Sequence, residues 1–169
     1  MSRSSLNTAP GWRIAPRTGA ETQELLALWV ASWRATYPEI AFEARCAWLL
    51  DRLAALEAQG AQTLCLWDEE HKGLLGFVTI DPASGWLDQI CVHPERFGGG
   101  VGAALLAAAR ERSPGLVRLD VNADNDRAVR FYEREGFKRL GPGQLSQSGR
   151  ETLILEWRSP SAERPSSGR

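Results

Sequence analysis

Ile90-Cys91-Val92-His93-Pro94-Glu95-Arg96-Phe97-Gly98-Gly99-Gly100-Val101-Gly102-Ala103 is the stretch that decides the fold. It begins as an apolar strand, breaks at Pro94, and passes through glycines into a helical run from Val101 to Arg112. Glycine takes positive φ without a steric penalty, so the backbone here can approach a ligand closely and turn several N–H groups the same way. The helix start directly behind adds partial positive charge. Together these make an anion site suited to a phosphate or diphosphate. Two familiar phosphate loops do not fit. No Lys-Ser/Thr pair follows the glycines, and Gly98, Gly100 and Gly102 lack the G-x-G-x-x-G spacing of a dinucleotide loop.

Upstream, Gly11 to Ala15 reads as a strand, and Glu21 to Ser32 as a helix with Leu25, Leu28 and Trp29 on one face. Phe42 to Glu57 is a second helix, closed by Gly60. The period then changes. Gln62–Trp67, Leu74–Ile80 and Trp86–Val92 are short runs parted by turn sequences, an antiparallel meander. Downstream, Leu116–Val121 is a strand, Asp124 or Asn125 caps a helix running to Glu135, and Phe137–Leu140 and Glu151–Trp157 finish the sheet. The order β-α-α-β-β-β-α-β-α-β-β predicts an α/β fold: a mixed, mostly antiparallel sheet of about seven strands flanked by about four helices. Residues 12–158 read as one domain, between a disordered start (1–11) and a disordered tail (159–169).

Two segments at matching spacing resemble the GCN5-related N-acetyltransferase (GNAT) family. Val92-His93-Pro94 through Gly98-Gly99-Gly100-Val101-Gly102-Ala103 is similar to its acetyl-CoA loop, written Q/R-x-x-G-x-G/A. Leu119-Asp120-Val121-Asn122-Ala123-Asp124-Asn125, with Ala128, Phe131-Tyr132 and Gly136-Phe137, is similar to its N-x-x-A-x-x-x-Y-x-x-x-G-F motif. Phe97 stands where the family has Gln or Arg at the loop entrance, with Arg96 beside it. The resemblance implies a direct transfer of acetyl from acetyl-CoA to a primary amine in a ternary complex, without a metal. It places the backbones of Ile90, Cys91 and Val92 along the pantetheine arm. Phe97, Gly98, Gly99, Gly100, Val101, Gly102 and Ala103 fall around the diphosphate, and Asn125 and Tyr132 also lie against the cofactor. Tyr132 is then the acid that protonates the departing thiolate.

For the base, the central strand offers Asp88. Cys91 has apolar neighbours and reads as a buried strand thiol rather than a covalent acyl carrier. His93 shapes the turn before Pro94, and no His or Cys spacing suits a metal. On the acceptor side, Trp29, Trp33 and Tyr37 share a helix face, and Trp86 is a further candidate. The acceptor is a small-molecule, peptide or protein amine. The alternatives are a non-catalytic acyl-CoA-binding module and a nucleotide-binding domain.

Composition sets the outer bounds. Across 169 residues, 43% are hydrophobic, and 20 Lys+Arg against 21 Asp+Glu leave a net charge of −1, without the cationic field that draws nucleic acid or anionic membranes. The start has no signal-peptide pattern, and no apolar stretch spans a bilayer. The expectation is a cytoplasmic protein with unpaired cysteines, and a homodimer is compatible with the family resemblance.

Overall fold

The computed structural model describes residues 11–160, so the expectations for the ends lie almost wholly outside the described residues. The elements follow the expected order: β1 (Trp12–Pro16), α1 (Thr22–Thr36), α2 (Cys46–Ala58), β2 (Gln62–Asp68), β3 (Gly73–Ile80), β4 (Leu87–Val92), α3 (Val101–Arg112), β5 (Leu116–Asn122), α4 (Asp126–Arg134), β6 (Lys138–Pro142) and β7 (Thr152–Arg158). Two boundaries differ from the sequence reading. α1 continues past Ser32 because nothing stops it before Pro38, whose ring disfavours helical geometry at Tyr37 (φ −131°, ψ 76°). Phe42–Arg45 forms a 3-10 turn, so α2 proper starts at Cys46.

The mixed α/β class is as expected, but the sheet divides. β1-β2-β3-β4 form one antiparallel sheet and β5-β7-β6 a second. Among the described residues they join at one parallel bridge, Trp86 to Arg118, reinforced by the Arg118 N–H donating to the Gly85 carbonyl at 2.8 Å. Pairing stops there. In β4 the register shifts between Thr79↔Gln89 and Ile80↔Leu87, which leaves Asp88 as the extra residue of a β-bulge. A bulge bends its strand and increases the local twist. Past it, β4 and β5 run on without pairing, and a cleft opens toward their C-terminal ends.

Two cores hold this shape. Leu25, Leu28 and Trp29 of α1 and Leu49 and Leu53 of α2 cover one face of the first sheet, against Cys65, Phe77 and Cys91. On the other face, Val101, Leu105, Leu106 and Ala109 of α3 pack on Leu64, Leu66, Val78 and Ile80. That second core continues into Val117, Leu119, Val121 and Leu155 of the second sheet and Val129 and Tyr132 of α4. At roughly 1.5–3 kcal/mol per buried aliphatic side chain, this shared core keeps the two sheets together although backbone pairing between them has lapsed. Among the described residues, no helix is long and apolar enough to cross a membrane.

Candidate active site

The glycine loop ends at the mouth of the cleft. Gly98 (φ 78°) and Gly100 (φ 89°) take left-handed geometry that a side chain resists, and Gly100 caps α3. The first bond of α3 runs from the Ala104 N–H to the Gly100 carbonyl at 3.0 Å. The amides of Val101, Gly102 and Ala103 therefore have no intrahelical acceptor, and those of Gly98 and Gly100 have none among the described residues. Gly99 is different, because its N–H closes the turn onto the Arg96 carbonyl at 3.0 Å. This row of free donors at a helix start has the chemistry to hold a diphosphate. Gly102 serves packing as well: a Cβ there would meet Phe131 Cζ of α4 at 2.9 Å. His93 does shape the turn, its Nδ1 accepting from the Glu95 N–H at 3.2 Å.

Along the cleft, Ile90 and Val92 are half-buried and Cys91 is buried. Burial pushes the Cys91 thiol up to about 12, which keeps it protonated and poorly nucleophilic. Asn125 caps α4, its side chain accepting from the Ala128 N–H at 3.4 Å. Behind it, Tyr132 is buried between the rings of Phe131 (5.3 Å) and Phe137 (5.5 Å). No hydrogen bond links its hydroxyl to any described residue. Burial first, then the charge of Asp120, hold its pKa above the ordinary phenol value.

Asp120 is the residue that sequence reading passed over. It stands on β5 one bridge step past Arg118, as Asp88 stands past Trp86 on β4, so the two carboxylates lie near each other at the root of the split. Asp88 is committed: Arg52 of α2 grips its two oxygens at 2.8 and 2.5 Å. Asp120 has no side-chain partner among the described residues. Its pKa is raised, mainly because the cleft walls strip water from the carboxyl, and next by the charge of Asp88; Arg52 opposes both. The residue is exposed as a whole, and crowding around its carboxyl is the largest cause of the raised pKa.

The aromatic face of α1 is divided among three environments. Trp29 is 3% exposed and meets Phe42 edge-on at 5.6 Å, a core position. Trp33 is half-buried between Tyr37 (6.0 Å) and Phe42 (5.8 Å). Tyr37 reaches across to the β5–α4 turn and donates to Asp124 at 2.6 Å; burial and that bond push its pKa up to about 12. Arg150, from the β6–β7 turn, stacks on the Tyr37 ring at 4.0 Å and binds Asp124 at 2.6 Å and Glu39 at 2.7 Å. The α1–α2 connection is thus strapped over the open end of the split, a joint between distant turns that no local pattern announces. Trp86 sits at the opposite, closed end beside the bridge to Arg118, away from the glycine loop. Among the described residues, only Asp68, Glu70 and His71 bring ligand-type atoms within 4.8 Å of one another, and Asp68 already accepts from Arg96 and pairs with His71.

A sheet whose two halves part beside a row of unsatisfied amides at a helix start defines a class of α/β protein suited to holding a phosphorylated ligand. A family model described as Acetyltransferase (GNAT) family matches residues 22–137, and the chain belongs to that family of acyltransferases. It is similar to the peptidyl-lysine N-acetyltransferase YjaB of Escherichia coli, 29% identical over 137 residues covering 80% of this chain and 88% of that one. It is 33% identical to the peptidyl-lysine N-acetyltransferase YiaC of the same organism over 54% of this chain, a match that spans 61% of YiaC. A mycothiol acetyltransferase of Kineococcus radiotolerans is 37% identical over 83% of this chain and 47% of its own length. In fold, the PaiA N-acetyltransferase of Thermoplasma acidophilum, solved with coenzyme A, superposes with a TM-score of 0.70 at 20% identity, covering 87% of this chain and 98% of that one.

Proposed function

We propose that the chain transfers the acetyl group of acetyl-CoA to a primary amine, directly and within a ternary complex. This reading rests on one observation: a carboxyl without a side-chain partner (Asp120) and a partner-free phenol (Tyr132) stand at one split in the sheet, whose mouth carries the free amides of Gly98 and Gly100 to Ala103. Acetyl-CoA supplies the thioester carbonyl that the amine attacks. The amides hold the diphosphate, and the unpaired edge of β4 at Ile90 and Val92 offers backbone groups to the pantetheine arm.

As the C–N bond forms and the C–S bond breaks, Asp120 takes the proton released by the amine, and Tyr132 gives its proton to the departing sulfur. A raised pKa suits each part. Asp120 becomes a stronger base than an ordinary carboxylate, and Tyr132 stays protonated throughout the neutral range. Asp88, held by Arg52, acts on Asp120 through its charge rather than on the amine. A direct route also agrees with Cys91, whose buried thiol is a poor acyl carrier.

The acceptor class follows the YjaB similarity: an alkyl amine, with the lysine side chain in a peptide first among those to try. The test is CoA release and product mass across lysine peptides, peptide N-termini and small amines. Acetylated amine with stoichiometric CoA is the expected result. Binding of acetyl-CoA without turnover on any of them would replace this reading with a non-catalytic acyl-CoA-binding module.

A further inference from the structure

The loop entrance carries Phe97 where the family pattern has a polar side chain, and the cation beside it is turned away: Arg96 binds Asp68 of β2 at 3.1 Å. Another cation has come to that place from the opposite lip of the cleft. Arg127, in the first turn of α4, lies over the Phe97 ring with its guanidinium carbon 3.7 Å from the centroid. Its Nη2 donates to Thr36 Oγ1 at 3.2 Å.

Arg52, Arg118 and Arg150 each close on carboxylates, whereas Arg127 meets no carboxylate among the described residues. A guanidinium that rests on an aromatic face and one hydroxyl keeps most of its donors for a planar oxyanion. The Phe97 ring beneath it leads directly in sequence into the free amides of Gly98 and Gly100 to Ala103, which attract the same kind of group.

We infer that Arg127 is the side-chain cation for the diphosphate of the cofactor, held over Phe97 across the mouth of the cleft and released to the oxyanion on binding. Phe97 is then a platform: the ring that displaced the usual polar residue is what positions its substitute. The stack spans both lips, from the turn after β4 to the first turn of α4, so the carrier must move Arg127 in order to lie between them. The inference rests on the acetyl-CoA reading of the site.

Titration calorimetry separates the two. Coenzyme A, dephospho-coenzyme A and pantetheine are titrated into the whole chain and into Arg127→Ala and Arg127→Lys, with melting temperatures as the control for folding. A charge-assisted contact is worth about tenfold or more in affinity. Arg127→Ala is expected to weaken coenzyme A and dephospho-coenzyme A about equally, by about tenfold, while pantetheine binding stays as in the unaltered chain. Arg127→Lys is expected to recover part of the loss, a point charge replacing a fork. Unchanged coenzyme A affinity in Arg127→Ala overturns the inference, as does an equal loss for pantetheine. A loss for coenzyme A alone also overturns it, since that places Arg127 on the ribose phosphate. Failure of the unaltered chain to bind coenzyme A would instead overturn the acetyl-CoA reading itself.

Discussion

Arg52 on α2 holds both oxygens of Asp88, at 2.8 and 2.5 Å, and Asp88 in turn faces Asp120 across the root of the split. One carboxylate of the pair is neutralised and the other is left desolvated beside it. A carboxyl without a partner beside a like charge rises in pKa, as Asp120 does here. The division of labour in the cleft follows: Arg52 and Asp88 tune, and Asp120 accepts.

Asp120→Asn is therefore expected to lower kcat about 10²–10⁴-fold, the range for a general base, with acetyl-CoA affinity little changed. The unaltered chain should gain activity as pH rises through the raised pKa of Asp120, and that acid limb should vanish in the variant. Stability moves the other way. A carboxyl whose pKa is raised by folding binds its proton more tightly in the folded state, so stability falls as pH climbs from the ordinary carboxylate range through the raised value. Asp120→Asn removes that loss. Its melting temperature should exceed that of the unaltered chain near neutral pH, and the gap should close below the ordinary carboxylate range. An unaltered acid limb in Asp120→Asn would show that another group is the base.

Arg52→Gln tests the tuning. Arg52 is what holds the pKa of Asp120 down, and without it Asp88 is an unpaired charge facing Asp120. The acid limb of the rate profile should move to higher pH, so activity falls most below neutrality and recovers with added base. Asp88, left with only the Gln89 side-chain amide at 3.2 Å, should also cost about 1–3 kcal/mol of stability, read by urea unfolding. A uniform loss of rate at every pH would instead mark Arg52 as a purely structural residue.

Much of this was legible in the sequence, and the exceptions share a cause. Periodicity and turn residues placed every strand and helix in order, because each is specified by neighbours a few positions away. The glycines at 98, 100 and 102 declared the donor row for the same reason. Asp120 was not found, although it lies inside the segment Leu119-Asp120-Val121-Asn122, because alternation along a strand reads such a residue as an ordinary solvent-facing acid. Its role depends on pairing that lapses after Trp86–Arg118, and the bulge at Asp88 that accompanies the lapse has no signature of its own. Arg150 and Arg127 escaped for a similar reason: their partners, Glu39 and Phe97, are far away in sequence.

Tyr132→Phe separates chemistry from binding. The hydroxyl has no partner among the described residues, and the ring fills the space between Phe131 and Phe137, which phenylalanine fills equally well. Fold and acetyl-CoA affinity should be nearly unchanged while kcat falls by about 10²-fold or more. Because burial and the charge of Asp120 keep this phenol protonated well past its ordinary pKa, no alkaline loss of activity from its ionisation should appear up to pH ~10. Turnover equal to that of the unaltered chain would remove Tyr132 as the acid.

Two glycines of the loop should fail for different reasons. A Cβ at Gly98 meets nothing within 4 Å, so Gly98→Ala costs only the strain of its φ of 78°, about 1–2 kcal/mol. Relieving that strain rotates the peptide and re-aims a donor of the row, so coenzyme A should bind more weakly while pantetheine binds as before. A Cβ at Gly102 meets the Phe131 ring at 2.9 Å, and Phe131 adjoins Tyr132 with centroids 5.3 Å apart. Gly102→Ala pushes α4 away from α3, a change of about 1–3 kcal/mol, and carries the phenol with it. Its kcat should drop even when acetyl-CoA is saturating, whereas Gly98→Ala should regain its rate there. Identical behaviour of the two variants at saturation would mean that the loop acts as one flexible turn rather than as a donor row joined to a helix contact.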